Sequence, residues 1–158
     1  SDLPEFIIIG SQSVLGQFPN APQELLASME ADLFSMTNPA DADLVEGSIG
    51  EGSPFHRTFG YYAHGVAVET ATLPSGWEQR LARVQNANTG TGAGLCLEVH
   101  DLAVSKLIAG REKDVEFVRA LARHRMITNS LVIDRLRLTP LDRELRELCE
   151  SRFQRLIE

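Results

Sequence analysis

The sequence predicts an α+β domain, with strands and short helices first and a helical part after them. Short apolar and β-branched runs, separated by Gly, Pro and Asn, fill the first hundred residues. Helical spacing of apolar residues takes over from Asp101, and no internal repeat interrupts the order. The 158 residues suffice for one compact unit, read as an α/β core over residues 1–100 and a helical C-terminal part over 101–158. Hydrophobic residues make up 43% and charged residues 23%, which excludes disordered, collagen-like and fibrous classes.

Residues 6–9, Phe-Ile-Ile-Ile, predict a buried strand that stops at Gly10-Ser11. Ser11 or Ser13 caps a helical stretch over residues 12–17, and residues 23–27 make one turn after Pro22. Residues 29–36 alternate in part, as a strand with Glu30 and Asp32 on one face. Residues 39–49 suit a short helix. Aromatic and β-branched residues at 58–64 and 66–72 predict an antiparallel pair hinged at His64-Gly65. Residues 77–84 fit either a strand or a helical turn. Residues 86–94 read as a surface loop, because no Gly-Lys-Ser/Thr follows their glycines, and residues 95–99 as a further strand. Residues 102–109 and 115–122 predict helical segments, continuous or kinked near Gly110. Residues 129–137 and 141–157 predict two more, the last opened by Thr139-Pro140.

The net charge of −7 is unevenly spread: residues 1–100 carry a net −9 and residues 101–158 a net +2. An acidic front half suits metal and an arginine-studded back half suits phosphate, although mixed Arg and Glu are also how solvated helices look. The longest purely apolar run is residues 6–9, far below the roughly 20 residues that cross a bilayer. No signal-peptide pattern opens the chain, so a cytoplasmic location without a membrane partner is expected. Cys96 and Cys149 lie far apart without a CxxC partner, which fits a reducing compartment and neither a disulfide scaffold nor a zinc site.

Two constellations can carry chemistry. Gly10 lets the backbone approach a phosphate closely, and Ser11 begins a stretch whose free N–H groups attract anions. Glu30 and Asp32, two apart on a strand, point the same way, as two divalent ions about 3.5–4 Å apart require. Hard Mg²⁺ (or Mn²⁺) takes such oxygen ligands. A third acid, to hold the metal that activates the attacking hydroxyl or to act as base, is best supplied by Glu69. The ordinary alternatives are a plain turn at Gly10-Ser11 and solvated acids at 30, 32 and 69. The second constellation is Lys106, Arg111, Lys113 and Asp114. Helical spacing puts Lys106, Gly110, Lys113 and Asp114 along one side, where the cations can neutralise a triphosphate and Asp114 can orient one of them. Its alternative is an amphipathic helix with surface ion pairs below about 1 kcal/mol each. The four histidines lack metal-ligand spacing, Cys96 reads as core and Trp77 as packing.

With these residues in view, the sequence resembles the minimal nucleotidyltransferase superfamily, which has a DNA-polymerase-β-like fold. It is especially similar to a bacterial branch of unknown function related to AbiEii-type abortive-infection toxins. The matching stretches are Phe6-Ile-Ile-Ile-Gly-Ser11, Ser28-Met-Glu-Ala-Asp32, Ser48-Ile-Gly-Glu-Gly-Ser-Pro-Phe-His56, Thr58-Phe-Gly-Tyr-Tyr-Ala-His-Gly65 and Thr70-Ala-Thr-Leu-Pro-Ser-Gly-Trp77. The most distinctive is Asp101-Leu-Ala-Val-Ser-Lys-Leu-Ile-Ala-Gly-Arg-Glu-Lys-Asp114. The resemblance implies a mixed sheet with flanking helices. It also implies β- and γ-phosphates held at Gly10 and Ser11, paired metal carboxylates at Glu30 and Asp32, a third acid near Glu69, and nucleotide positioning by Lys106 and Asp114. Glu30 stands where the pattern has Asp, and Phe117 where the AbiEii-like motif has a last acid.

The expected function is therefore a Mg²⁺-dependent nucleotidyltransferase acting on a nucleoside triphosphate. Its acceptor hydroxyl belongs to an RNA 3′ end such as that of tRNA, a protein or a small molecule, within a toxin–antitoxin system. The alternative is a catalytically inactive module of the same fold that binds or senses nucleotide. A third expectation is a homodimer or a cognate-protein interface built on the Lys106–Asp114 helix and the arginine-rich tail, with Arg135 and Arg143 contributing its charges.

Overall fold

A computed structural model describes residues 5–8, 11–26, 30–35, 62–65, 72–84 and 93–158. Five strands are described: β1 (Glu5–Ile8), β2 (Glu30–Ser35), β3 (Tyr62–Gly65), β4 (Ala82–Val84) and β5 (Ala93–Cys96). They form one mixed sheet in the order β3-β2-β1-β5-β4. The Ile run makes β1 its middle strand, the place where a continuous apolar sequence is favoured. β1 runs antiparallel to β2, with Ile7 opposite Phe34, and parallel to β5, with Ile7 opposite Leu95.

Four helices follow: α1 (Val99–Ala109), α2 (Glu112–Arg123), α3 (Asn129–Arg137) and α4 (Arg143–Ile157). Short 3₁₀ segments occupy Ser11–Gly16, Gln23–Leu26 and Trp77–Arg80. α1 buries Leu102, Ala103, Val104 and Leu107 because it is covered by α2, α3, α4 and the Ser11–Gly16 segment. α4 places Cys149, Phe153 and Leu156 on its inner face, at spacings of four and three that share one side of a helix. Gly16 allows the first 3₁₀ segment to lie directly on the sheet, since a Cβ there would come within 2.5 Å of Cys96 Cβ. No helix among the described residues is long and apolar enough to cross a membrane.

Four sequence expectations need correction. His64 and Gly65 are strand residues instead of a hinge: both lie within β3 and pair in parallel with β2, Asp32 opposite His64 and Leu33 opposite Gly65. Ala93 and Gly94 belong to a strand instead of a loop, because pairing with both β1 and β4 overrides the low strand propensity of glycine. Val99 opens α1 instead of closing a strand. Thr139 ends α3, its hydroxyl donating to the Arg135 carbonyl at 2.7 Å, and α4 is opened instead by Asp142, whose side chain accepts from Leu145 N–H at 2.8 Å. The expected helix at residues 39–49 and the arm at 66–71 lie outside the described residues.

Candidate functional site

The sheet register determines which predicted residues can meet. β2 runs antiparallel to β1, so the start of β2 at Glu30 lies at the end of the sheet where β1 exits toward Ser11. β5 runs parallel to β1 and leaves at that same end, leading through Glu98 into α1. The Ser11–Gly16 segment packs against both β2 and β5. Glu30 and Asp32 stand at alternate positions of β2, in register with Tyr62 and His64 of β3. Gly10 and Glu69 lie outside the described residues. Among the described residues no group of three His, Cys, Asp or Glu side chains is arranged to hold a metal ion.

The second constellation forms around a break between two helices, whereas the spacing placed Lys106, Gly110, Lys113 and Asp114 along one helical side. α1 ends at Gly110, whose φ of +66° is the left-handed value glycine adopts without a Cβ penalty, and whose N–H closes on the Lys106 carbonyl at 2.9 Å. Arg111 then caps α2. Its backbone N–H donates to Asp114 Oδ2 at 3.2 Å, and Asp114 N–H returns a bond to the Arg111 carbonyl at 3.0 Å. The Arg111 guanidinium adds a fork onto the same carboxylate, with Nε at 2.7 Å and Nη2 at 3.3 Å. Lys106 Nζ comes within 3.6 Å of Asp114 Oδ1 and lies over the Phe117 ring, 5.4 Å from its centroid.

Asp114 is 1% exposed. Burial works against its charge, but the Arg111 hydrogen bonds and the nearby Lys106 charge outweigh burial and hold the carboxyl below its ordinary range. Phe117 supplies the apolar floor beneath Lys106. Lys106, Arg111 and Asp114 thus converge. Lys113 is exposed near the start of α2 and is not one of Asp114's ion-pair partners.

A third cluster was not anticipated. Glu98 caps α1, accepting from His100 N–H at 3.1 Å and Asp101 N–H at 3.2 Å, and its carboxylate also meets His100 Nδ1. His100 Nε2 accepts from Thr128 N–H at 2.9 Å, which ties α1 to the start of α3. Asp101 is wholly buried between two arginines: Arg80 reaches it with Nε at 2.8 Å and Nη2 at 2.9 Å, and Arg135 with Nη1 at 2.9 Å. Arg135 also binds Glu98 at 2.6 Å. Two acids balance two arginines, so this cluster clamps the Trp77–Arg80 segment, α1 and α3 together. Arg135, expected in an exposed interface, is instead an internal strut, with its side chain 14% exposed. The available signal was an acid directly before a helical run with a second acid three residues on, a capping pattern that names Glu98 and Asp101 but not their arginines.

The clamp makes stability pH-dependent. Burial pushes the Glu98 carboxyl up, but the hydrogen bonds from His100 and Arg135 more than offset this and bring its pKa down to about 2 from 4.5. A depressed folded-state value contributes stability that is complete above pH 4.5 and is lost as pH falls toward 2. Melting temperature should therefore fall across that window, and Glu98→Gln should flatten the fall. An unchanged acid limb in Glu98→Gln would remove Glu98 as a source of the dependence. The thiol of Cys96 is pushed up to about 12 by burial, in keeping with a core residue.

Among curated proteins and solved structures nothing matches the chain significantly. One family model does, over residues 1–147; its description is a nucleotidyltransferase of unknown function (DUF6036). That range includes the sheet, the Ser11 exit, the acidic start of β2 and the α1–α2 turn with its Lys106, Arg111 and Asp114, and the chain belongs to this nucleotidyltransferase family.

Proposed function

We propose that the chain is a Mg²⁺-dependent nucleotidyltransferase that moves a nucleoside monophosphate from a nucleoside triphosphate to an acceptor hydroxyl. The observation that carries this reading is the sheet register, which puts the acidic start of β2 at the same end of the sheet as the exit of β1 into the Ser11 segment. Glu30 and Asp32 are the residues that would hold the metal, because hard carboxylate oxygens at alternate strand positions suit Mg²⁺ or Mn²⁺. When bound, the metal supplies charge neutralisation on the triphosphate and an activated acceptor oxygen. Gly10 and Ser11 would contribute backbone N–H groups to the phosphates, Glu69 a third acid, and Lys106 and Arg111 cationic groups held in place by Asp114. The acceptor hydroxyl would give its proton to a base, the role open to Glu69, as its oxygen forms a bond to the α-phosphorus; the bond from that phosphorus to the bridging oxygen breaks, and pyrophosphate leaves with the displaced electron pair.

The acceptor class is an RNA 3′ end, a protein side chain or a small molecule, and a toxin–antitoxin setting follows from the resemblance to the AbiEii type alone. The test is incubation of the full chain with Mg²⁺ and each α-labelled triphosphate, alone and with total RNA. Label should appear in the acceptor or in the protein itself and vanish on chelation with EDTA. Thermal stabilisation by a triphosphate without any transfer would instead identify a nucleotide-sensing module, and neither transfer nor stabilisation would remove nucleotide chemistry altogether.

A further inference from the structure

Arg152 lies on α4, yet its half-buried guanidinium lies against the turn between α1 and α2. Nη1 donates to the Leu107 carbonyl, which Cys149 Sγ also approaches at 3.7 Å. Carbonyls in the last turn of a helix have no intrahelical N–H partner, and this contact gives one of them a charged donor beside the weak thiol donor of Cys149. Gly110 makes the contact possible, since any Cβ at that position would run into the Arg152 guanidinium. The turn so held is the one that sets Lys106, on the last turn of α1, relative to Arg111 and Asp114 at the start of α2. Arg152 stands beyond residues 1–147, the range matched by the family model.

We infer that Arg152 is a positioning residue for the proposed triphosphate site, locking from α4 the turn in which Lys106, Arg111 and Asp114 meet. It acts through the backbone of that turn and not on the ligand. The ligand part of this inference rests on the nucleotidyltransferase reading; the lock itself rests on the contacts at Leu107 and Gly110.

The test compares the full wild-type chain with Arg152→Ala, Arg152→Lys and Arg137→Ala. The last variant removes a different cross-helix pair, to Glu150 at 3.7 Å. Titration calorimetry with Mg²⁺ and each of ATP, GTP, CTP and UTP reads affinity well below the melting temperature. Amide hydrogen exchange reads the turn. Arg152→Ala should bind the preferred triphosphate about tenfold more weakly, the equivalent of one lost charge-assisted hydrogen bond. Its amides from Gly110 to Val115 should exchange faster while those of α3 keep wild-type rates. Arg152→Lys should recover most of the affinity, because an ammonium can also donate to the Leu107 carbonyl, and Arg137→Ala should change neither readout.

Wild-type affinity and wild-type exchange in Arg152→Ala, with only a lowered melting temperature, overturn the positioning role. A wild-type chain that binds none of the four triphosphates overturns the nucleotidyltransferase reading and the ligand role together. Faster exchange confined to the turn would in that case still identify the lock.

Discussion

Asp101→Ala should destabilise the protein by about 3 kcal/mol or more, the loss expected when one partner of a buried ion pair is removed. The carboxylate is fully buried and binds Arg80 through two bonds and Arg135 through one. Removing it leaves Arg80 with only backbone carbonyls, of Ser75 at 3.1 Å and Pro74 at 3.5 Å, while Arg135 keeps Glu98. For a chain of this size each kcal/mol corresponds to roughly 2–4 °C, so the melting temperature should drop by about 10 °C. Urea unfolding should show a lower midpoint at an unchanged slope. The cost arises from stranded guanidinium groups, so the double variant Asp101→Ala with Arg80→Met should recover part of it. A loss below about 1 kcal/mol would show that solvent reaches the clamp and screens it.

Glu30→Gln and Asp32→Asn should each reduce label transfer by at least about a hundredfold, the usual cost of losing one group that stabilises developing charge. Both amides keep the shape of the acid and lose its charge, so the effect should appear in turnover while circular dichroism and melting temperature confirm a folded chain. Effects of two groups serving one metal site are not additive, and the double variant should be scarcely worse than the poorer single one. Transfer at the wild-type rate in either variant would take that carboxylate out of the metal-binding role.

Local signals in the sequence identified those elements whose partners lie nearby in the chain. The Ile run of β1 and the limits of α3 at 129–137 are written in residue type and spacing, and the structure has both, whereas the spacing leaves a continuous helix and a break at Gly110 equally open. Misreadings fell where a distant segment decides. Gly94 looks like loop until β1 and β4 pair on either side of it, and His64-Gly65 looks like a turn until β2 lies alongside. The same division holds in the candidate site. Lys106, Arg111 and Asp114 fall within one short motif and were legible, whereas Arg80, Arg135 and Arg152 reach their partners across 21, 34 and 45 residues. No periodicity links an arginine to an acid or a carbonyl so far away, since only tertiary packing brings them together.

The parallel ladder joining Glu5 to Ala93 has a consequence for how the protein is made. β1 is translated before its partner on this side, and the chain between them adds a delay of roughly 5–20 seconds at ordinary elongation speed. During that interval β2 can cover one edge of β1 while the other edge stays open, the condition under which nascent strands recruit chaperones or neighbouring polypeptides. Ribosome-stalled chains that hold residue 96 inside the exit tunnel and chains in which it has emerged should therefore differ sharply in protease resistance.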